Sequence, residues 1–108
     1  DWIDKNLDVP GLGPETIARG NHISVRYLHK LFHDEGTSVA RWVRECRLEK
    51  CRHDLEDPTL AEREVIAIAR RWGFDDAAHF NKIFKATYGV PPGQYRQLAD
   101  LSLASTRT

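Results

Sequence analysis

One pattern is written twice in this chain. Residues 17–42, IARGNHISVRYLHKLFHDEGTSVARW, lie over residues 68–95, IARRWGFDDAAHFNKIFKATYGVPPGQY, at an offset of 51 to 53. Ile17-Ala18-Arg19 matches Ile68-Ala69-Arg70, and Leu28 matches Phe80. Lys30, Leu31 and Phe32 match Lys82, Ile83 and Phe84; Gly36 matches Gly89, and Trp42 matches Tyr95. Each copy reads as a short helix, a turn of a few residues and a longer helix, which is the layout of a helix-turn-helix.

Apolar residues recur at helical spacing elsewhere too, and no segment alternates long enough to predict a strand. WIDKNL predicts a short first helix. Pro14 suits the first turn of a second helix and Gly20 its stop. Ser24 is placed to cap a helix ending at Gly36, and Ser38 to cap a long one reaching about Leu55, where Asp57-Pro58 stops it. A helix around Glu64–Trp72, one from about Ala77 to Tyr88 and a short last one in PPGQYRQL complete an all-α count of seven. The expected division is a first lobe at 1–37, a bridging helix at 38–55, a second lobe at 59–98 and a frayed tail at 99–108.

The middle helix changes its buried face along its length. With Val39 at zero, Trp42, Val43 and Cys46 lie within about 60°, whereas Leu48, Cys51 and Leu55 gather between about 120° and 180°. A helix serving a single core keeps one stripe. This one is expected to bridge two lobes, with Trp42 buried in the first and Leu55 in the second. Cys46 and Cys51 stand about 140° apart on it, so they are expected as reduced thiols that share neither a disulfide nor a metal.

The formal net charge is zero, but it is an average over blocks. Residues 19–53 hold eight Lys/Arg against four Asp/Glu, and residues 65–96 hold five against two. Between them, residues 54–64 hold one against five. The cations also sit on particular helix faces. With Val25 at zero, Leu28, Leu31 and Phe32 lie within about 120° on the expected core side, while Arg26, His29, Lys30 and His33 lie between about 40° and 140°. In the second copy Phe80, Ile83 and Phe84 form the core stripe, and Ala78, Asn81, Lys82 and Lys85 occupy the matching outer arc. Both arcs are free of acid, which suits a polyanion such as double-stranded DNA: Arg or Lys can donate to guanine and Asn can pair with adenine in the major groove. Ala78 offers only a methyl, so the second helix is expected to read less sequence than the first.

Other chemistries find little support. There is no Gly-rich phosphate loop, no HExxH metal motif, and no Ser or Cys with a positioned base, so no catalytic residue and no cofactor is expected. His29 and His33 stand one turn apart without an evident third ligand on that face, so no metal is expected. Asp75 and Asp76 read as helix caps. No apolar run is long enough for a membrane span and no signal-peptide pattern opens the chain. The chain has no Met, which predicts a piece of a longer protein. The alternative reading is a helical protein–protein module whose exposed faces meet an acidic partner.

GTSVARWVRECRLEKCR, followed by IARRWGFDDAAHFNKIFKATYGVPPGQYR, resembles the DNA-binding domain of the AraC/XylS family of bacterial transcription regulators. The resemblance covers roughly residues 1–98. It implies a seven-helix, two-lobe domain with both recognition helices in adjacent major grooves of a promoter. By position, the base-reading places of the first helix fall on Arg26, His29 and Lys30, and those of the second on Ala77, Ala78, Asn81 and Lys82. It further implies a cytoplasmic regulator, contact with RNA polymerase, and a separate effector-binding or dimerisation domain in the parent protein. LEDPTLAEREV is longer and more acidic than the family's usual connection.

Overall fold

The computed structural model describes residues 2–9 and 11–106, the last four by backbone alone. Among the described residues every regular element is helical: α1 (Trp2–Lys5), α2 (Pro14–Gly20), α3 (Val25–Asp34), α4 (Val39–Glu56), α5 (Val65–Arg71), α6 (Ala77–Tyr88) and α7 (Pro92–Thr106). A 3₁₀ turn at Pro58–Leu60 follows α4. Two compact units divide the chain between residues 47 and 48, and α4 runs unbroken through that point.

The caps explain most of the boundaries. Ser24 Oγ accepts the Tyr27 N–H at 3.1 Å, and Ser38 Oγ accepts the Arg41 N–H at 3.2 Å. Asp76 Oδ1 accepts the His79 N–H at 3.1 Å, so α3 and α6 begin on equivalent side-chain caps. At the far end of α3, Gly36 takes φ +77° and the Thr37 N–H reaches back to the Phe32 carbonyl at 3.1 Å, a left-handed stop that satisfies a terminal acceptor.

The first unit buries Ile3, Leu7, Ile17, Ala18, Leu28, Val39 and Val43. The indole of Trp2 lies so close to Gly20 that a Cβ there would collide with it. Two expected core residues are not buried. Leu31 is 41% and Trp42 39% exposed. Leu31 stands at the margin of the α3 stripe, and the Trp42 ring pairs with Phe32 at 6.2 Å between centroids.

The turn between α2 and α3 repeats in the second unit. Ile23 N–H bonds the Ala18 carbonyl, and Phe74 N–H bonds the Ala69 carbonyl, both at 3.0 Å. At the left-handed position of this turn the second unit has Gly73 (φ +97°), but the first has His22 (φ +57°). A side chain there costs roughly 1–2 kcal/mol, and glycine returns about 0.5–1 kcal/mol of that as chain entropy. His22→Gly is therefore expected to stabilise the first unit by about 0.5–1 kcal/mol; an unchanged or lower thermal midpoint contradicts this account of the turn.

The second unit packs Leu48, Cys51, Leu55, Ile68, Ala69, Phe80 and Phe84 into its core. Leu55 is buried as expected. Aromatic rings dominate: Phe84 lies 5.8 Å from Phe80, 4.6 Å from Tyr88 and 5.5 Å from Tyr95 between centroids. Burial pushes the Cys51 thiol up to about 12 and leaves it unreactive. Among the described residues neither cysteine is in a disulfide. The last helix is longer than PPGQYRQL suggested, because no Gly or Pro follows Gly93 and the chain continues helically to Thr106. Arg96 on α7 donates to the Arg63 carbonyl at 2.6 Å, tying down the acidic connection.

A polar network closes this unit. Arg52 pairs with Glu49 and with Glu56 (2.6 Å) and donates to the Tyr95 hydroxyl at 3.2 Å; the Tyr88 hydroxyl donates to Glu49 at 2.9 Å. The Arg52 guanidinium, helped by Tyr88, holds the Glu49 carboxyl at about 2, against an ordinary 4.5. Protonation is thus easier in the unfolded chain, and the network's stabilisation, complete above pH 4.5, fades as pH falls towards about 2. Glu49→Gln should weaken the unit at neutral pH and flatten its loss of stability in that acid window. If the variant shows the same acid dependence as the parent, Glu49 is not its source.

Candidate nucleic-acid interface

Both candidate faces are built on the second helix of a helix-turn-helix. In α3 the buried anchor is Leu28; in α6 the anchors are Phe80 and Phe84. Each helix starts one residue after its cap, so the two faces share one register. Arg26, His29, Lys30 and His33 take the same helical positions as Ala78, Asn81, Lys82 and Lys85, and Val25 the same as Ala77. From Arg26 to His33, or from Ala78 to Lys85, seven steps of about 1.5 Å make either face about 10 Å long, two turns of helix.

All nine candidates, Arg26, His29, Lys30, His33, Ala77, Ala78, Asn81, Lys82 and Lys85, are exposed. The side chains of the seven polar ones have no hydrogen bond or ion pair with a described residue, so their donors are free for an outside partner. Asp34 and Glu35 close α3 beyond the face. Asp76 is occupied as the α6 cap. The cations of α4 behave differently. Arg41 is paired with Glu45 at 3.1 Å, Arg52 with Glu49 and Glu56, and Arg47 donates to the Leu7 carbonyl at 3.2 Å. Arg44 is exposed. In the second unit Arg71 lies 4.9 Å over the Trp72 ring and 3.4 Å from Asp54.

The structure adds two cations that sequence reasoning passed over. Arg19 and Arg70, the matching ends of IAR in the two copies, are both exposed in the last turns of α2 and α5. Their signal was the repeat itself, since two lobes keep an exposed arginine at one position for a shared reason or none. Tyr27 and His79, at the third position of α3 and α6, are also exposed. Such surfaces can hold phosphates through Arg and Lys and present Arg, Lys, Asn and His to base edges.

Comparison with known proteins gives a consistent picture. Residues 17–98 match the model of a helix-turn-helix domain family. The transcriptional activator NphR of Rhodococcus sp is 37% identical over 95 residues, which cover 88% of this chain and 28% of that protein. The multiple antibiotic resistance protein MarA of Escherichia coli K12 is 28% identical over 97 residues, 89% of this chain and 73% of MarA. The chain spans about three tenths of the length of the first curated relatives it matches. Among solved structures, the C-terminal domain of AraT, a response regulator from Geobacillus stearothermophilus, aligns with TM-score 0.73 at 30% identity over 90% of this chain and 78% of that one. A Chromobacterium violaceum transcriptional regulator described among AraC-type DNA-binding domain-containing proteins aligns with TM-score 0.81 at 24% identity over 91% and 85%. At that identity the second likeness speaks for the fold alone.

Proposed function

The chain belongs to the AraC-type helix-turn-helix family of bacterial transcription regulators, and from that premise we propose that it binds double-stranded promoter DNA sequence-specifically, each unit placing its second helix in a major groove. The observation that carries this reading is the pair of acid-free, unengaged faces in one register on α3 and α6. Arg26, His29 and Lys30 read bases in the first unit, and Asn81 and Lys82 in the second. Ala77 and Ala78 allow close approach but read little beyond a thymine methyl. Lys85, His33, Arg19 and Arg70 fit phosphate contacts, which fix position without reading sequence.

Such a regulator works in the cytoplasm, where the promoter is. No helix among the described residues is long and apolar enough to cross a membrane. In the full-length protein an effector-binding or dimerisation domain accompanies this one, as the greater length of the curated relatives suggests. The activator names among those relatives favour a second partner, RNA polymerase, whose acidic surfaces the same kind of cation can meet. No catalytic role is proposed.

Selection from a pool of random duplexes tests the reading. The expected result is an enriched motif with two unlike parts, the better defined one lost on Arg26→Ala. An unenriched pool, with retained binding to an acidic protein surface, would replace DNA by protein as the partner.

A further inference from the structure

The caps of α3 and α6 hold the same residue of each helix. Ser24 Oγ accepts the Tyr27 N–H and Asp76 Oδ1 accepts the His79 N–H, each at 3.1 Å. Tyr27 and His79 therefore leave their helices from one locked position in the first turn. Both are exposed, Tyr27 at 49%. Neither the Tyr27 hydroxyl nor the His79 ring has a hydrogen bond or ion pair with a described residue. Their polar tips thus contribute no hydrogen bond to either unit.

The helical angle decides what those tips can meet. With the first residue of each helix at zero, the outer arc spans about 40° to 140°, and Tyr27 and His79 stand at about 200°. An α-helix with its side chains is about 10–12 Å across and the major groove about 12 Å wide, so the helix fills the groove. A side chain about 60° beyond the base-facing arc then meets the wall of the groove, which is sugar and phosphate. The opposite flank, at zero, carries Val25 in one unit and Ala77 in the other, and neither side chain has a donor. In this first turn only one wall lies within reach of a side-chain donor on a flank, and it is the same wall for both helices.

We infer that Tyr27 and His79 are a matched pair of positioning residues: each donates a hydrogen bond to a backbone phosphate on the same side of its helix and fixes how that helix is turned in the groove. The inference rests on the proposed DNA binding and adds to it two contacts outside the base-reading arcs. The Tyr27 phenol is neutral, so its contact supplies affinity without the counterion release that accompanies phosphates held by Lys or Arg.

The test uses the 108-residue chain and a duplex selected by it. Tyr27→Phe keeps the ring and removes the hydroxyl. It should weaken the selected duplex and its single-base variants alike, about three- to tenfold for one hydrogen bond, with the salt slope unchanged. His79→Ala should lose a similar factor, and His79→Tyr, which places the first unit's donor at the matched position, should recover most of it. Phosphates are then replaced one at a time by neutral methylphosphonates. At one position Tyr27→Phe should lose less than the parent does, because its contact is already gone, and His79→Ala should do so at a different position. Three results would overturn the inference alone: equal binding by Tyr27→Phe and the parent, a changed base preference in Tyr27→Phe, or substitution and phosphonate losses that simply add at every position. A chain that enriches no duplex would overturn the proposed function, and this inference with it.

Discussion

Phe84→Ala is expected to cost the second unit about 3–5 kcal/mol. Phe84 is 0% exposed and touches three other rings, so truncation removes its own burial and leaves Phe80, Tyr88 and Tyr95 without their common neighbour. Units of this size have only about 5–15 kcal/mol in hand. The thermal midpoint by circular dichroism should fall by more than about 10 °C. Leu101→Ala, on a helix surface that is 67% exposed at that residue, should move it little. A fall of under about 4 °C for Phe84→Ala would mean that the aromatic cluster does not hold the unit together.

The second large effect falls on binding and divides the labour between the helices. Arg26→Ala should cost about 1–3 kcal/mol, a roughly five- to 150-fold loss, and relax the preference at one base position. Lys85→Ala should weaken every duplex by a similar small factor, because a phosphate contact carries no sequence information. The contrast follows from Arg26, His29 and Lys30 on one helix against Ala77, Ala78, Asn81 and Lys82 on the other. Competition binding against single-base variants of the selected site measures it. If the part read by the second helix tolerates fewer base changes than the part read by the first, the assignment is reversed.

The helices were legible because their signals are local. Ser24, Ser38 and Asp76 are caps whose position along the chain names the first turn, and Gly36 and Gly89 are stops that only a left-handed backbone requires. The change of buried face along α4 was legible for a similar reason: Val39 and Val43 go to one unit, and Leu48, Cys51 and Leu55 to the other. What escaped the sequence depends on neighbours that no periodicity encodes. Leu31 and Trp42 sit at helical spacing for burial, yet both stay exposed. Tyr95 and Arg96 read as parts of a family signature; their work, one in the aromatic cluster with Arg52 and the other on the Arg63 carbonyl, appears only in three dimensions. His22 gave no sign of its left-handed turn except through its match with Gly73. For the candidate site, the sequence supplied the faces as angles; the structure adds that their polar side chains are exposed and uncommitted, and that Arg41 and Arg52 are not.

Affinity for a selected duplex and for its scrambled counterpart, followed as salt rises from about 50 to 200 mM, tests the proposed function most directly. Each phosphate held by Lys or Arg releases a counterion, so about four to six contacts give a slope of roughly −4 to −5 in log affinity against log salt. The expected result is that steep, linear fall for both duplexes, with the selected one about a thousandfold tighter at physiological salt. A flat response, or one affinity for both duplexes throughout, would contradict sequence-specific DNA binding by these two helices.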